Sequence, residues 1–248
     1  MIRIITMNEL RVYFRSPFIW VAAAALQLIL GWLFLSATEQ FTLIQDSASH
    51  HPANGLSNFL VVQFLAPTSV VMMMVTPLLC MNLISAERQS GRYVLFTGAP
   101  VSATEIVIGK FVAALTIQTG MLIVSMALIA LLSIFTTLDI RHLFSAYTGL
   151  LLFISVATAV SIFFSSITRL PVLAAFASFA TLLLLWMAAS SSAAGTIGWL
   201  APSYHLKSFM QGLFDSRDIA YFICMTAMLL TLCIWHLDRL NRFTSSAQ

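Results

Sequence analysis

Apolar residues fill six long stretches of this chain, and polar residues gather in the gaps between them. A membrane-crossing helix needs roughly 20 consecutive apolar residues, because the hydrocarbon core is about 30 Å thick and a helix rises ~1.5 Å per residue. The runs 18–38, 60–84, 111–134, 143–167, 171–194 and 219–237 meet that length, and none contains Asp, Glu, Lys or Arg. Pro171, after the polar break at Arg169, suits the first position of the fifth run. The pattern predicts an all-α polytopic membrane protein with six transmembrane helices in a single transmembrane domain over 1–248. The first run follows basic residues, as a signal peptide would, but its 21 residues exceed the about 7–15 of a signal-peptide core.

Three gaps carry structure of their own. Residues 1–17 mix Ile4, Ile5, Leu10, Tyr13 and Phe14 with Arg3, Arg11 and Arg15, which predicts an amphipathic helix lying in the membrane interface and ending at Pro17. Residues 85–104 form a polar loop before the third run. Residues 195–218 are semi-apolar but broken by Gly198, Pro202 and Gly212. They predict short re-entrant or interfacial helices before the last span.

Composition agrees with this plan: 60% of residues are hydrophobic and 8% charged, against about 25% charged in soluble domains. A net charge of +3 leaves no footprint for nucleic acid. The distribution of basic residues matters more than their sum. With the N-terminus inside, the inner segments hold nine (Arg3, Arg11, Arg15, Arg88, Arg92, Lys110, Arg169, Arg239, Arg242) and the outer segments three (Arg141, Lys207, Arg217). The positive-inside rule then predicts cytoplasmic N- and C-termini and a cytoplasmic 85–104 loop.

Several chemistries are excluded. Ionisable groups at span centres mark ion and proton pathways, and these runs have none. No phosphate-binding glycine loop and no HExxH occurs, so no cofactor, metal or catalytic residue is assigned. Cys80, Cys224 and Cys233 lie in apolar runs without a CxxC and read as small buried hydrophobes. His50 and His51 near Asp46 read as a solvated loop, and His236 beside Trp235 as an interfacial anchor. The mid-span polar groups Ser69, Thr76, Gln118 and Ser125, with Phe64 and three consecutive methionines, admit two readings. They line a translocation path or permease interface, or they bond to neighbouring helices of the same chain. Pro77 predicts a kink in the second span.

The loop from 85 to 110 has a definite grammar. Glu87 and Arg88 extend the second span, Gly91 permits a turn, 92–96 suit a short helical turn, and Gly98 and Pro100 end it. Ser102 stands three residues before Glu105, the spacing of a capping box that opens the next helix. Glu87-Arg88, Gly91, Pro100-Val101-Ser102, Glu105-Ile106 and Gly109-Lys110 resemble the cytoplasmic loop of ABC-2-type transporter permeases. Asn8-Glu9-Leu10 followed by Phe14-Arg15-Ser16-Pro17 resembles the entry helix of that family. His205, Phe209, Gly212, Asp215, Asp218 and Tyr221-Phe222 resemble the outer segment of its gliding-motility branch. Arg92 and Val94 depart from the threonine and the acid usual in the family.

The resemblance implies the permease subunit of an ATP-driven transporter in a bacterial inner membrane. It is not itself an enzyme, and ATP hydrolysis falls to two copies of a separate ABC ATPase subunit. It implies pairing with a second permease copy or a homologous permease, contact with membrane lipid, and room for an extracytoplasmic auxiliary protein. The expected ATPase-coupling residues are Glu87, Arg88, Gly91, Arg92, Tyr93, Pro100, Glu105 and Lys110. The cargo expected is amphipathic or lipid-linked. An alternative stays open, in which the chain carries no cargo and transmits ATPase-driven motion to extracytoplasmic partners.

Overall fold

A computed structural model of the chain describes residues 1–47, 56–89, 102–132, 138–190 and 198–245. Among the described residues the structure is helical, and six helices are long and apolar enough to cross a membrane. They cover Pro17–Leu43, Ser57–Gln89, Ala103–Leu132, Ile140–Ile167, Pro171–Ala189 and Ser216–Leu240. Each predicted run lies in one of these helices, apart from Ser190, which ends the helix Pro171–Ser190, and the residues 133–134 and 191–194, which fall outside the described residues. The helices extend past several apolar runs. The third starts at Ala103, well before 111, and carries Lys110 inside it.

A separate helix, Ile2–Arg15, precedes the first span. Only Ser16 separates the two, and its N–H returns to the Tyr13 carbonyl at 3.0 Å. Tyr13 clusters with Ile84, Ala103, Val107 and Leu237, so the N-terminal helix and the end of the last span share one end of the bundle. This is called the basal end here. A one-turn helix, Gly198–Leu200, and the helix Pro202–Met210 lie at the opposite, distal end.

The fourth span is the hub. In its most apolar window 67% of residues are buried, against 11% for the first span, although their mean hydropathies are nearly equal at 2.3 and 2.2. Position in the bundle, not hydropathy, separates the two, and small side chains mark the contacts of the fourth. Ser145, Ala146, Gly149, Ala157, Thr158, Ala159, Ser161 and Ser165 let neighbouring helices approach closely. Bilayer lipid offers no hydrophobic drive between helices, so close van der Waals contact and interhelical bonds must hold the bundle. The first span exposes Trp20, Leu28, Trp32 and Leu35, as a lipid-facing helix does.

The second span is assembled from pieces. A π-turn, Val61–Leu65, leads into the helix Ala66–Cys80 with Pro77 inside it. Helical geometry is interrupted at 81–84, one turn after Pro77, and resumes in Ser85–Gln89. Proline lacks the N–H that would hold the carbonyl four residues back, here that of Met73, so the break at 81–84 lies beyond the bond that Pro77 removes.

At the distal end, Pro202–Met210 seats on the fourth span through Gly149. A Cβ built on Gly149 would lie 2.4 Å from Phe209 Cβ and 2.8 Å from Phe209 Cγ. Beside it, Ser145 Oγ donates to the Phe209 carbonyl at 3.0 Å, and His142 Nε2 bonds the Met210 carbonyl at 2.9 Å. The helix ends in a reversing turn. The Leu213 N–H returns to the Ser208 carbonyl at 3.0 Å, with Gly212 at φ +78°, where a side chain would strain the backbone.

Gly149→Ala is therefore expected to destabilise the fold by about 1–3 kcal/mol through overpacking, read as a lower unfolding temperature in detergent. An unchanged unfolding temperature would show that the distal helix yields freely at this contact.

Candidate functional site

The basal end concentrates charge where an apolar bundle can least afford to hydrate it. Lys110 lies two turns into the third span and its side chain is 1% exposed. Its Nζ is 2.7 Å from Glu9 Oε1 and 2.8 Å from Glu87 Oε1. Glu9 comes from the N-terminal helix and Glu87 from the extension of the second span. One ammonium therefore joins three elements distant in sequence. Both carboxylates are largely buried, at 14% and 20% exposure.

Local backbone features place each member. The third span opens with the predicted capping box: Ser102 Oγ accepts from the Glu105 N–H at 3.3 Å, and Glu105 Oε2 accepts from the Ser102 N–H at 3.2 Å. The amino group of Met1 lies 3.8 Å from Glu105, a second tie from the N-terminal helix to this helix start. Gly109 lets that helix come close. A Cβ there would sit 2.9 Å from Ile5 Cγ2, and Thr6 Oγ1 reaches the Gly109 carbonyl at 3.2 Å. The pair Gly109-Lys110 thus acts as a unit, in which the glycine permits the approach and the lysine receives the carboxylate.

Glu87 is positioned by a repair to the interrupted second span. Ser165 of the fourth span accepts from the N–H groups of Ile84 at 3.2 Å and Ser85 at 3.1 Å, and donates to the Met81 carbonyl at 3.0 Å. One hydroxyl so satisfies backbone groups freed at 81–84, which hydrocarbon would leave unpaired at a cost of several kcal/mol. Ser85 Oγ donates to the same Met81 carbonyl, and the Arg88 guanidinium donates to the Ser166 carbonyl. The segment Ser85–Gln89 is thereby fastened to the hub. Tyr13 completes the arrangement: its hydroxyl donates to the Leu79 carbonyl at 3.1 Å. Burial, with Cys80 and Glu9 nearby, pushes its phenol well above the usual tyrosine range, so it stays neutral.

The structure brings Glu87 and Lys110 together and sets Glu105 on the same helix start, with Arg88 turned to the hub. Gly91, Arg92, Tyr93 and Pro100 lie outside the described residues, as does the expected short turn at 92–96. Thr6, Ser165 and Ser166 were not assigned a role from sequence, and Glu9 entered only as part of the Asn8-Glu9-Leu10 motif. A lysine inside a membrane helix needs a counterion, and Glu9 was the signal available in an otherwise basic and apolar helix.

The mid-span polar group is also gathered, but inward. Phe64, Ser69, Thr76, Gln118 and Ser125 are all buried within the one chain. Thr76 Oγ1 lies 2.7 Å from Gln118 Oε1, and Gln118 Nε2 donates to Thr158 Oγ1 at 3.0 Å, bracing the second, third and fourth spans. Ser69 and Ser125 donate to carbonyls of their own helices, those of Ala66 and Leu122. Phe64 meets Phe34 edge-on at 5.6 Å. Among the described residues, no group of three or more His, Cys, Asp or Glu is arranged to hold a metal ion.

A family model described as an ABC-2 family transporter protein matches residues 3–239. No curated protein matches the chain.

Lys110→Met is expected to destabilise the protein by about 3–5 kcal/mol, because it strands two buried carboxylates. The triple change Glu9→Gln, Lys110→Met, Glu87→Gln removes every charge and is expected to recover most of that loss. Thermal unfolding of the purified protein measures both. A single variant as stable as the parent would show that the ion cluster carries no structural load.

Proposed function

The chain belongs to the ABC-2 family of transporter proteins, and from that premise we propose that its basal charge cluster is the receiver for the stroke of a separate ABC ATPase. The protein is a multi-pass membrane component of an ABC transporter. ATPase subunits are soluble, so they must meet the permease at its cytoplasmic face. The nine-to-three bias of basic residues supports the basal end as that face.

The observation that carries the reading is the Lys110 bridge. A push on the loop after the second span enters through Ser85–Gln89, and Glu87 passes it to Lys110 of the third span and, through the same ammonium, to Glu9 of the N-terminal helix. Arg88 and Ser165 pass it to the fourth span, the hub of the bundle. A loop tied in this way moves several helices together. On this reading Gly91, Arg92, Tyr93 and Pro100 make the surface that touches the ATPase, and Glu105 holds the return of the loop onto the third span.

The path for cargo lies between two permease chains, a second copy or a homologue. The spans carry no charge at their centres, and Thr76 and Gln118 bond within the chain rather than toward a pore. A groove of about 650 Å³ runs between the first, second and fifth spans and the distal helix, lined mostly by apolar residues such as Leu33, Val62, Val70, Trp186 and Leu206, with Ser69, Ser203 and Lys207 at its wall. A second, separate groove of about 400 Å³, lined by Met74, Leu78 and Phe176, lies between the second and fifth spans. Apolar walls of this kind suit an amphipathic or lipid-linked cargo better than an ion. A bacterial inner membrane is the setting that this reading implies.

Two measurements test it. A cysteine replacing exposed Lys207 should be labelled by an impermeant maleimide in intact cells, and one replacing exposed Arg11 should be labelled only after lysis. Labelling of both or neither in intact cells, or the reverse order, contradicts the orientation. The variant Arg92→Glu, Tyr93→Ala leaves the Lys110 cluster intact and should weaken ATPase binding about 30-fold, as expected for loss of an aromatic anchor worth ~2 kcal/mol. Undiminished co-purification with the ATPase would place the docking surface elsewhere.

A further inference from the structure

We propose that His205 and Asp218 form a proton-binding site at the distal end, and that the bound proton clamps the distal helix to the last span. The hydrogen-bond inventory calls for it. His205 Nε2 lies 2.9 Å from the Trp199 carbonyl oxygen, and Nδ1 lies 2.6 Å from Asp218 Oδ1. A carbonyl oxygen only accepts, so Nε2 carries a hydrogen. A neutral imidazole has no second hydrogen to give. Nδ1 would then face an ionised carboxylate as a bare acceptor at 2.6 Å, a repulsive contact inside the protein. One additional proton turns that contact into a charge-assisted bond.

Two features put the proton on the ring. Asp218 stands in the first turn of the helix Ser216–Ser245, where the helix dipole favours an anion. The Tyr221 ring stacks on the imidazole with centroids 3.9 Å apart and planes 21° apart, an arrangement that favours a cation over an aromatic face. Trp199 and Tyr204 close the site nearly perpendicular to the imidazole, at 5.5 and 5.4 Å. His205 and Asp218 are both buried. Ser203 on the same helix suggests a nucleophile beside a His–Asp pair. That reading fails, because the Nε2 that would serve as base is bonded to the Trp199 carbonyl.

The proton joins three segments: the turn Gly198–Leu200, the helix Pro202–Met210 and the start of the last span. Tyr221 adds a bond from its hydroxyl to the Leu200 carbonyl at 2.6 Å. The surrounding titratable or charged groups are Tyr204 and Lys207 on the distal helix, Asp215, Arg217 and Tyr221 on the last span, and Asp139, Arg141 and His142 at the start of the fourth. Asp139 caps its own helix, Asp215 accepts from the Arg217 N–H, and His142 bonds the Met210 carbonyl. Loss of the proton leaves an unpaired buried anion and loosens the distal helix on the last span, where ring contacts such as Phe209 with Phe222 remain, as does its seat on Gly149. The inference does not rest on the ATPase reading.

Proton-detected ¹⁵N NMR of the full chain, labelled at histidine and held in lipid nanodiscs at about pH 7.5, tests the site directly. The His205 signals are identified by their loss in His205→Gln. Two one-bond N–H correlations are expected from the His205 ring in the parent protein; a single correlation overturns the proposal. Asp218→Asn keeps an acceptor but removes the anion. It is expected to reduce the pair to one correlation and to speed amide exchange across 202–210 about tenfold or more at the same pH, the effect of losing a charged hydrogen bond. Unchanged exchange in that variant overturns the clamp. The measurement on the parent protein decides the first question even if the variant fails to fold.

Discussion

An ammonium group buried at 1% exposure fixes the organisation of the basal end. Lys110 cannot be hydrated there, and an unpaired buried charge would cost several kcal/mol. Its partners must be brought to it. The N-terminal helix has to dock on the third span to deliver Glu9, and the second span has to extend beyond its apolar run to deliver Glu87. Gly109 and the capping box at Ser102 and Glu105 are the local conditions that make these approaches feasible. Such a cluster stabilises little compared with apolar packing, yet it penalises any separation of the three elements strongly. That asymmetry suits a part that must move as one body.

The same rule, that hydrocarbon supplies no hydrogen-bond partner, explains the fourth span. The second span is interrupted after Pro77, and the freed backbone groups are answered by Ser165 rather than by water. The mid-span amide of Gln118 is answered by Thr76 and Thr158. At the distal end Ser145 and His142 answer the last carbonyls of a short helix. The polar atoms of the fourth span therefore act as joints at three depths. Its small residues bring the neighbouring helices within reach of those joints.

Much of the fold was legible in the sequence because bilayer thickness sets a length that apolar runs reveal one at a time. The six helices and the Ser102–Glu105 capping box follow from such local patterns. Depth in the bundle does not. The first and fourth spans have nearly the same mean hydropathy yet differ several-fold in burial, since lipid and protein interior are equally apolar. Small-residue content does not separate them either, since serine, alanine and glycine fill 7 of 21 positions in the first run and 9 of 25 in the fourth. For the same reason the direction of Thr76 and Gln118 was open: a polar group at mid-span faces either a path or a partner helix, and periodicity does not choose. Within the site, Lys110 and Glu87 were readable as charges in a loop grammar. Glu9 was readable only as part of the entry motif, not as the partner of Lys110, because that pairing spans 101 residues and depends on how closely two helices meet at Gly109.

On the proposed function, the Lys110 bridge carries the ATPase stroke across three elements. A charge exchange tests it most directly: Glu9→Lys with Lys110→Glu keeps one ammonium and two carboxylates at the same place. Each single change should abolish permease-dependent stimulation of ATP hydrolysis in reconstituted membranes, and the exchanged pair should restore a substantial part of it. Full stimulation in either single variant, or an exchanged pair that assembles with the ATPase yet remains as inactive as the singles, would rule out this role for the bridge.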